Sequence, residues 1–390
     1  MNELAYVLIN PYTMSKSRTG GVISRLLSRS SSLRLLGARM FAPSKELVEE
    51  YIETLTVDEQ SGPEQREVEL LVREYVRTHY LPDAQGQRQR VMFLLVEGED
   101  AVACVRDEVV GSIIRQTVGE TIRDTYGDFI KDAHGRLVYF EPAVLIARTV
   151  AQARRQIDVW LKHSTRDSGI LHDAIKYPAG VTPEHTLVMF KPDTLAHSRT
   201  RMGTVVDLFA KTGLFVIAIK IIHISVAQAM EFYGPVRDIF VEKFADKVRD
   251  KAFAALQGAF EFPISVAVAE HLAQELKTAN ADHEFGKIVQ FMTGRNPWQT
   301  PQADWPAPGS ETCLALVYQG VDAVNKIREQ LGSTDPRKAA PATVRKEFGR
   351  DVMVNTAHAS DSAQNAAREI RIIDLAANDL PALVANFYGA

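Results

Sequence analysis

Residues 6–19 read YVLINPYTMSKSRT, and residues 187–200 read LVMFKPDTLAHSRT. The two stretches align without a gap, so that Pro11 corresponds to Pro192, and both end in SRT. Two further matches follow in the same order, GEDAVACVR with GVDAVNKIR and TIRDTYG with TVRKEFG, and both lie 222 residues apart. One such match is weak evidence, but three in the same order predict a duplicated domain.

Both halves also show the same order of predicted elements. Each begins with an apolar strand, at Tyr6–Ile9 and at Leu187–Phe190, followed by a Pro-containing turn and an amphipathic helix. Strands that alternate with helices at this spacing predict an α+β sandwich in each half, a ferredoxin-like βαββαβ unit with helices packed on an antiparallel sheet. The remaining predicted strands are Ser32–Phe41, Met92–Val96, Leu214–Ile224 and Leu314–Tyr318.

The predicted domain boundaries follow from composition. We place a first domain at residues 1–161, a linker with Ser, Gly and Pro at 162–184, and a second domain at 185–390. Residues from about 241 to 311 have no counterpart in the first half, and their first part is Ala-rich with helical periodicity. The second domain is therefore expected to carry a helical insertion that ends in a loop rich in Pro and Trp.

The bulk composition narrows the class of protein. The net charge of −4 argues against nucleic acid or an acidic membrane surface as the main partner. The N-terminus lacks the basic start of a signal peptide, and the most apolar stretch, Gly213–Ile224, is too short and too polar to span a bilayer. Cys104 and Cys313 cannot form a disulfide framework and are expected to be buried thiols. We therefore expect a cytoplasmic protein.

Groups suited to polyphosphate chemistry gather in the second half. Lys191 ends a predicted strand, Arg328 and Arg345 flank a loop that contains Thr334, and His358 precedes a Ser/Asp run that is expected to cap the closing helix. Guanidinium groups bind phosphate oxygens bidentately, lysine adds a point charge, and neutral imidazole is a nucleophile. Taken singly, each residue has a plainer interpretation as a solvated charge or a hydrogen-bonded core histidine. HExxH and GxxxxGK[ST] motifs are absent, which argues against a zinc site and a P-loop.

Four motifs, LVMFKPD, LGSTDP, PATVRKEFG and NTAHASDSAQNAAREI, closely resemble those of the nucleoside diphosphate kinase family. The last is similar to the family signature N-x-x-H-[GA]-S-D-S, and the resemblance covers residues 185–234 and 313–371. It implies that His358 is the phosphorylated histidine and that Glu369 holds its other ring nitrogen. It also implies that the phosphates are bound by Lys191, Arg328, Thr334 and Arg345. Asn355 would bond the sugar hydroxyl, Tyr233 would lie close to the transferred phosphate, and Phe240 would stack on the base.

The resemblance implies ping-pong transfer of a γ-phosphoryl group between nucleoside tri- and diphosphates. Mg²⁺ is expected to arrive with the nucleotide, because no carboxylate cluster offers it a protein cage. Family members assemble as homo-oligomers of single domains. A tandem chain is therefore expected to imitate one dimer through pairing of its two repeats, and to form larger homo-oligomers.

The first half retains only part of this set. Arg106 and Arg123 are kept, and Ser112 falls opposite the loop threonine at the same offset. However, Asn10 replaces the lysine, and Tyr12 replaces the aspartate that follows it. These changes predict a degenerate kinase repeat that serves as a packing or regulatory partner, with nucleotide binding left open.

The phosphorylated histidine itself has no counterpart in the first half. EPAVLIAR stands opposite NTAHASDS and places Val144 or Leu145 at the histidine position. An apolar side chain cannot carry a phosphoryl group. His134 is close in sequence, but KDAHGR predicts a hairpin turn, so His134 is not expected to substitute.

Three functions are compatible with the sequence. The first is an active nucleoside diphosphate kinase. The second is a nucleotide-binding regulatory protein with vestigial catalysis, which the degenerate first half and the long insertion suggest. The third is transfer of the phosphoryl group from His358 to a histidine of another protein. Turnover with free diphosphates separates the first two, and labelled phosphate on a partner protein would favour the third.

Overall fold

The computed structural model describes residues 2–30, 32–57, 62–114, 119–196, 200–243 and 245–389. Contacts divide the chain into two compact units, one formed by Met1–Ile221 with Leu314–Ala390 and the other by Ile222–Cys313. Ser198 and Arg199 of the repeated SRT triplet lie outside the described residues. Among the described helices, none is long and apolar enough to cross a membrane.

The strands confirm the predicted positions. The first half contains β1 (Asn2–Ile9), β2 (Arg34–Phe41), β3 (Val91–Glu99), β4 (Asp128–Lys131), β5 (Leu137–Glu141) and β6 (Val144–Leu145). The second half contains β7 (Glu184–Phe190), β8 (Phe215–Ile222), β9 (Cys313–Gly320) and β10 (Ala357–Ala359).

The helices of the first half are α1 (Pro11–Ser15), α2 (Thr19–Ser28), α3 (Lys45–Thr54), α4 (Pro63–His79), α5 (Ala101–Cys104), which a π-helix (Val105–Val110) extends, α6 (Ile122–Tyr126) and α7 (Val150–Asp167). Those of the second half are, in chain order, α8 (Pro192–Ala196), α9 (Arg201–Ala210), α10 (Val226–Lys243), α11 (Ala245–Ala259), α12 (Val266–Thr293), α13 (Ala323–Leu331), α14 (Val344–Phe348), α15 (Ala363–Ile372) and α16 (Leu380–Tyr388). Helices α10 to α12 belong to the second unit, with a 3₁₀ turn at Gln302–Asp304.

In the described residues, two four-stranded sheets have the orders β2-β3-β1-β6 and β10-β7-β9-β8. If the four strands of each sheet are numbered along the chain, both orders read 4-1-3-2, the order of a ferredoxin-like sheet. The pairs β1–β3, β1–β6, β2–β3, β7–β9 and β7–β10 are antiparallel. The central strands are apolar on both faces, and every residue of β9 is buried. Antiparallel sheets with helices, as predicted, are therefore present in both halves.

The predicted boundaries differ from the structure at two places. Lys162–Asp167 were assigned to the linker but lie in α7. The helix continues through these polar residues because its buried face persists through Trp160 and Ser164 to Asp167. The Asp167 carboxylate also accepts hydrogen bonds from Ser44. The unit that contains the insertion begins at Ile222 and so includes α10, whereas the sequence placed the insertion from about residue 241.

Three smaller predictions are confirmed. His134 lies in the turn of the β4–β5 hairpin, where its backbone amide donates to Asp132 Oδ1 at 2.8 Å. Ser362 is the N-cap of α15, and its hydroxyl accepts a hydrogen bond from the backbone amide of Asn365. Cys104 and Cys313 are buried thiols.

Helices α2 and α9 join the two halves through a close contact at two glycines. A Cβ atom built on Gly203 would lie 2.1 Å from the carbonyl oxygen of Gly20, and one built on Gly20 would lie as close to the oxygen of Gly203. The Gly20 amide donates to Asp207 Oδ1 at 2.9 Å, and Ser24 Oγ donates to Thr200 O at 3.0 Å. The two helix backbones can approach this closely only because neither glycine carries a side chain.

Substitution of Gly203 with alanine is therefore expected to destabilise the protein by about 3 kcal/mol, because the clash is with backbone and the helices must move apart. Gly258→Ala in α11 is the matched control, since a Cβ atom there would meet nothing within 4 Å. Thermal melting followed by circular dichroism compares the two variants with the parent chain. Equal melting temperatures for both variants would contradict the close contact.

The same contact predicts a pH dependence of stability. Burial raises the pKa of Asp207 from 3.8 to about 6. The folded protein therefore binds the Asp207 proton more tightly than the unfolded chain does. The stability that this proton adds to the folded protein is lost as the pH rises from about 4 through 6. Asp207→Asn cannot ionise and still offers an oxygen to the Gly20 amide. We expect it to be more stable than the parent at pH 7.5, by about 1 kcal/mol after allowance for partial exposure.

The measurement is a melting series from pH 4.5 to 7.5. The difference between Asp207→Asn and the parent should grow from pH 4.5 to about pH 6, where Asp207 ionises in the unfolded chain but keeps its proton in the folded protein, and should level off above about pH 6. A difference that stays constant across the series would show that ionisation of Asp207 has no part in it.

Candidate active site

Strand β10 places His358 on the edge of the second sheet. It pairs with β7 so that His358 lies opposite Met189. Thr356, just before the strand, has a left-handed backbone with φ of 78°. Its carbonyl oxygen accepts from the Lys191 amide at 2.9 Å and from Thr194 Oγ1 at 2.7 Å. The turn that leads into β10 is thus tied directly to the end of β7.

Glu369 on α15 orients the imidazole of His358. The Nε2 atom lies 2.9 Å from Glu369 Oε2, and Ser360 Oγ donates to the same oxygen at 2.5 Å. The Glu369 side chain is 6% exposed and the His358 side chain 23%, so the carboxylate is buried while part of the ring remains accessible. A carboxylate accepts only, so this contact assigns the proton of a neutral ring to Nε2 and the lone pair to Nδ1.

Lys191 and Asn355 form a second linked pair. Lys191 Nζ donates to Asn355 Oδ1 at 2.7 Å and to the carbonyl oxygen of Met353 at 3.1 Å. The Asn355 amide, which is buried, donates to the carbonyl oxygens of Thr334 and Val352 at 3.1 and 2.8 Å. Asn355 therefore connects the lysine at the end of β7 with the loop that carries Thr334.

The guanidinium of Arg345 braces the same loop from the other side. It donates to the carbonyl oxygens of Gly332 and Ala357 at 3.1 and 3.0 Å, and lies 3.5 Å from Thr334 Oγ1. The Thr334 side chain is exposed. The Thr334 loop and β10 are thus held together by one cation.

Arg328 on α13 is exposed and lies near the start of α15. The amide of Asn365 contributes most to lowering the pKa of Asp361, and the hydroxyl of Ser362 and the positive charge of Arg328 add to it. Lys191, Arg345 and Arg328 therefore surround β10 with positive charge. In the described part of the chain, no three His, Cys, Asp or Glu side chains are grouped so as to hold a metal ion.

The structure brings together seven of the nine predicted site residues: Lys191, Arg328, Thr334, Arg345, Asn355, His358 and Glu369. Tyr233 and Phe240 lie on α10 of the second unit. Tyr233 is buried with its ring 4.8 Å from that of Phe232, and Phe240 is half-buried. The roles of these two aromatic residues stay predictions.

Sequence reasoning missed Ser360, whose hydroxyl shares Glu369 Oε2 with His358. The residue is part of the signature motif, but a serine and an aspartate ahead of a helix were interpreted as capping residues. Only Ser362 has that role here. The missing signal was spacing, because a residue two positions after the histidine on a strand points to the same face.

The first half has a similar backbone geometry at the corresponding position, with different side chains. The Asn10 amide and Thr13 Oγ1 donate to the carbonyl oxygen of Ala143 at 3.3 and 2.7 Å, and Ala143 has φ of 59°. Ala143 thus takes the place of Thr356, and the residue two positions later is Leu145, which pairs with Leu8. The sequence left Val144 and Leu145 open, and this geometry selects Leu145.

The loop after the arginine helix differs by one position between the halves. Helix α5 with its π-helix and helix α13 each begin after an aspartate whose backbone has positive φ. Each ends at a glycine with positive φ, Gly111 or Gly332. Helix α13 has nine residues, whereas α5 contributes four and its π-helix six, and a π-helix accommodates one extra residue. Counted from the glycines, Ile113 takes the place of Thr334. The prediction that Ser112 does so was wrong by one residue.

Comparison with known proteins agrees with these features. The family model for nucleoside diphosphate kinase matches residues 184–254 and 307–374. The nucleoside diphosphate kinase of Bdellovibrio bacteriovorus is 31% identical over 189 residues, which cover 48% of this chain and 91% of the relative. That of Anaeromyxobacter sp. (strain Fw109-5) is 31% identical over 187 residues, covering 48% of this chain and 86% of the relative.

Among solved structures, the Aquifex aeolicus nucleoside diphosphate kinase is 26% identical and covers 49% of this chain and 95% of its own, with a TM-score of 0.32. The Bdellovibrio relative is 31% identical over nine tenths of its own length. The chain belongs to the nucleoside diphosphate kinase family.

Proposed function

We propose that this protein is a nucleoside diphosphate kinase, which transfers the γ-phosphoryl group of a nucleoside triphosphate to a nucleoside diphosphate through a phosphohistidine at His358. The observation that carries the proposal is the 2.9 Å contact between His358 Nε2 and the buried carboxylate of Glu369. It presents Nδ1 as the nucleophile within a ring of basic side chains.

In the first step the Nδ1 lone pair attacks the γ-phosphorus. The bond from that phosphorus to the β–γ bridging oxygen breaks, and the nucleoside diphosphate leaves with the electron pair. Phosphorylation makes the ring cationic, and the carboxylate of Glu369 stabilises this charge. In the second step a terminal oxygen of the acceptor diphosphate attacks the same phosphorus, and the N–P bond breaks to restore the neutral ring.

The surrounding residues neutralise charge and position the phosphates. Lys191, Arg328 and Arg345 provide the positive charge that phosphoryl transfer requires, and the Thr334 hydroxyl adds a neutral donor. Asn355 holds the lysine and the Thr334 loop in addition to the sugar contact that the family resemblance implies.

The remaining assignments of the proposal follow the family resemblance. Tyr233 lies near the transferred group, and Phe240 stacks on the base. Mg²⁺ enters as part of the nucleotide substrate, because the described residues offer no three-ligand cluster for it, and there it neutralises phosphate charge. The buried thiols of Cys104 and Cys313 suit a reducing compartment, and we propose the cytoplasm.

The test is incubation with ATP labelled at the γ-phosphate, beside a His358→Ala chain, followed by a chase with GDP. We expect acid-labile label on the parent chain alone and its release as labelled GTP. Absence of label under conditions where nucleotide binds would instead favour a regulatory protein with vestigial catalysis. Label that passes to a protein histidine and not to GDP would favour a protein phosphotransferase.

We further propose that the first half is a degenerate kinase repeat. Leu145 takes the place of the histidine and Asn10 that of the lysine, as judged from the shared backbone contacts. Gln156 stands at the same distance from its N-cap Thr149 as Glu369 does from Ser362, and its Oε1 accepts from Tyr6. Neither a leucine side chain nor a hydrogen-bonded amide is a phosphoryl acceptor.

The two repeats pair within the chain as one dimer in this proposal. Arg39 on β2 donates to the carbonyl oxygens of Ala376 and Ala377 at 3.0 and 2.8 Å. Lys220 on β8 donates to those of Asp374 and Ala377 at 3.0 and 3.1 Å. The two cations occupy corresponding positions in β2 and β8 and both donate to the carbonyl oxygen of Ala377, which supports pairing of the two halves. Larger homo-oligomers would then be built from such internally paired chains.

A further inference from the structure

The first half contains a cavity of about 360 Å³. It lies at the position that corresponds to the candidate active site of the second half. Arg106 and Arg123, which correspond to Arg328 and Arg345, both line it. Leu145, at the histidine position, also lines the cavity. The volume falls within the range of small-molecule sites. The first half therefore has an open cavity at the position that corresponds to the candidate active site.

Arg123 supplies the charge that sets the character of this cavity. Its guanidinium donates only to backbone oxygens, those of Gly111, Pro142 and Val144 at 3.3 to 3.4 Å. Burial lowers its pKa to about 10, so it remains charged at neutral pH. Within the described part of the chain it has no carboxylate partner. A half-buried guanidinium that only carbonyl groups balance favours an anionic ligand.

Two further guanidinium groups lie on the cavity wall, each with one carboxylate. Arg148 forms an ion pair with the buried carboxylate of Glu69, and Arg106 pairs with Asp107. Arg106 Nη1 also donates to the carbonyl oxygen of Arg148 at 2.6 Å, which fixes the position of its head group. The charged lining therefore consists of three arginines and two acids, with one positive charge in excess.

The rest of the lining includes a group of apolar side chains. It includes Leu55, Val68, Val72 and Ile113. Such a surface suits the sugar and base of a nucleotide, whereas inorganic phosphate would leave it uncovered. The cavity thus combines an anion-binding end with a wall for an organic group.

The lysine position is closed to a ligand in this half. Asn10 Nδ2 donates to Glu141 at 3.1 Å, Tyr80 donates to Asn10 Oδ1 at 2.7 Å, and Tyr75 donates to Glu141 at 2.7 Å. These buried groups fill the place that Lys191 occupies in the second half. A bound phosphate must therefore be held by the arginines.

We propose that this cavity is a second, non-catalytic site that binds a nucleoside diphosphate. Leu145 has no nucleophilic atom, so the ligand is held and released without a change in its bonds. The proposal uses the correspondence of the two halves but does not depend on phosphoryl transfer by His358.

Equilibrium dialysis of the full chain with labelled ADP tests it, since ADP has no γ-phosphoryl group and binding is read without turnover. We expect two molecules of ADP per chain. Arg106→Ala and its matched counterpart Arg328→Ala should each leave one, and the double variant none. Val72→Glu, which places a carboxylate in the cavity, should also leave one. Circular dichroism checks that each variant is folded.

One ADP per parent chain that Arg106→Ala retains would overturn the proposal, as would two in both Arg106→Ala and Val72→Glu; one ADP that Arg106→Ala loses would support it. Unlabelled inorganic phosphate and adenosine serve as competitors, and displacement by phosphate as effective as by ADP would reduce the cavity to a simple anion site and overturn the nucleotide assignment.

If the variants do not fold, labelling of the parent with azido-ADP replaces them, with label expected in residues 62–79 or 105–114. Label confined to the second half would then overturn the proposal. Failure of phosphorylation at His358 would leave these results unchanged, so the two proposals fail separately.

Discussion

Replacement of His358 by glutamine is expected to lower turnover from ATP to GDP by about 10⁴-fold or more, because the proposed nucleophile is lost and no other group near β10 can take its place. Glutamine is similar in size and can still donate to Glu369, which lies 2.9 Å from the imidazole in the parent chain. The fold and the binding of nucleotide should therefore be retained. Steady-state turnover and ADP affinity are to be measured on the same preparation.

His134→Gln is the matched control for this prediction. His134 lies exposed in the turn of the β4–β5 hairpin and has no place in the proposed mechanism, so parent-like turnover is expected. Loss of turnover in His134→Gln with His358 intact would remove the argument that the first half is catalytically degenerate. Retention of turnover in His358→Gln would remove the phosphohistidine.

Glu369→Ala is expected to slow phosphorylation of His358 by about 10²-fold, because groups that orient a reactive side chain typically contribute that much. The variant removes the acceptor of His358 Nε2 and also of Ser360 Oγ. Either nitrogen can then carry the proton, and the ring loses its fixed orientation. Glu369→Gln keeps an oxygen acceptor but loses the charge that stabilises the phosphorylated ring, and about 10-fold slowing is expected.

Single-turnover phosphorylation by quenched flow separates this positioning role from nucleotide binding. The observed rate at saturating ATP should fall while the concentration for half-saturation stays within about 3-fold of the parent. Glu275→Gln, an exposed position on α12, is the matched control and should behave as the parent chain. Parallel changes in rate and half-saturation would show that Glu369 supports the site as a whole.

Much of the fold was predictable because its signal is local. The central strands are continuous apolar runs, such as LVMF at the end of β7, and these runs predict strands whatever surrounds them. The prediction of a repeat was equally accessible, since matches such as Pro11 with Pro192 require only comparison along the chain. Both kinds of inference use residues that are close in sequence or related by a constant offset.

The errors arose where long-range packing decided the outcome. Lys162–Asp167 look like a linker by composition, yet Ser44 and Arg88 hold Asp167 at the end of α7. Ser112 was matched to Thr334 by a constant offset, but the π-helix of the first half absorbs one residue and shifts the loop.

By itself, the sequence supplied the matches from which we predict a repeat, the strands, the resemblance to the family and the identities of the groups available for phosphate chemistry. Only the tertiary structure decided that Ser360 and His358 share one oxygen of Glu369, that Leu145 stands at the histidine position, and that the first half keeps an open cavity. The physical reason is that hydrogen-bond partners and cavities depend on atoms far apart in the chain, whose separation is set by sheet register and helix packing. Residue types and spacing constrain which contacts are possible, and the folded backbone selects among them.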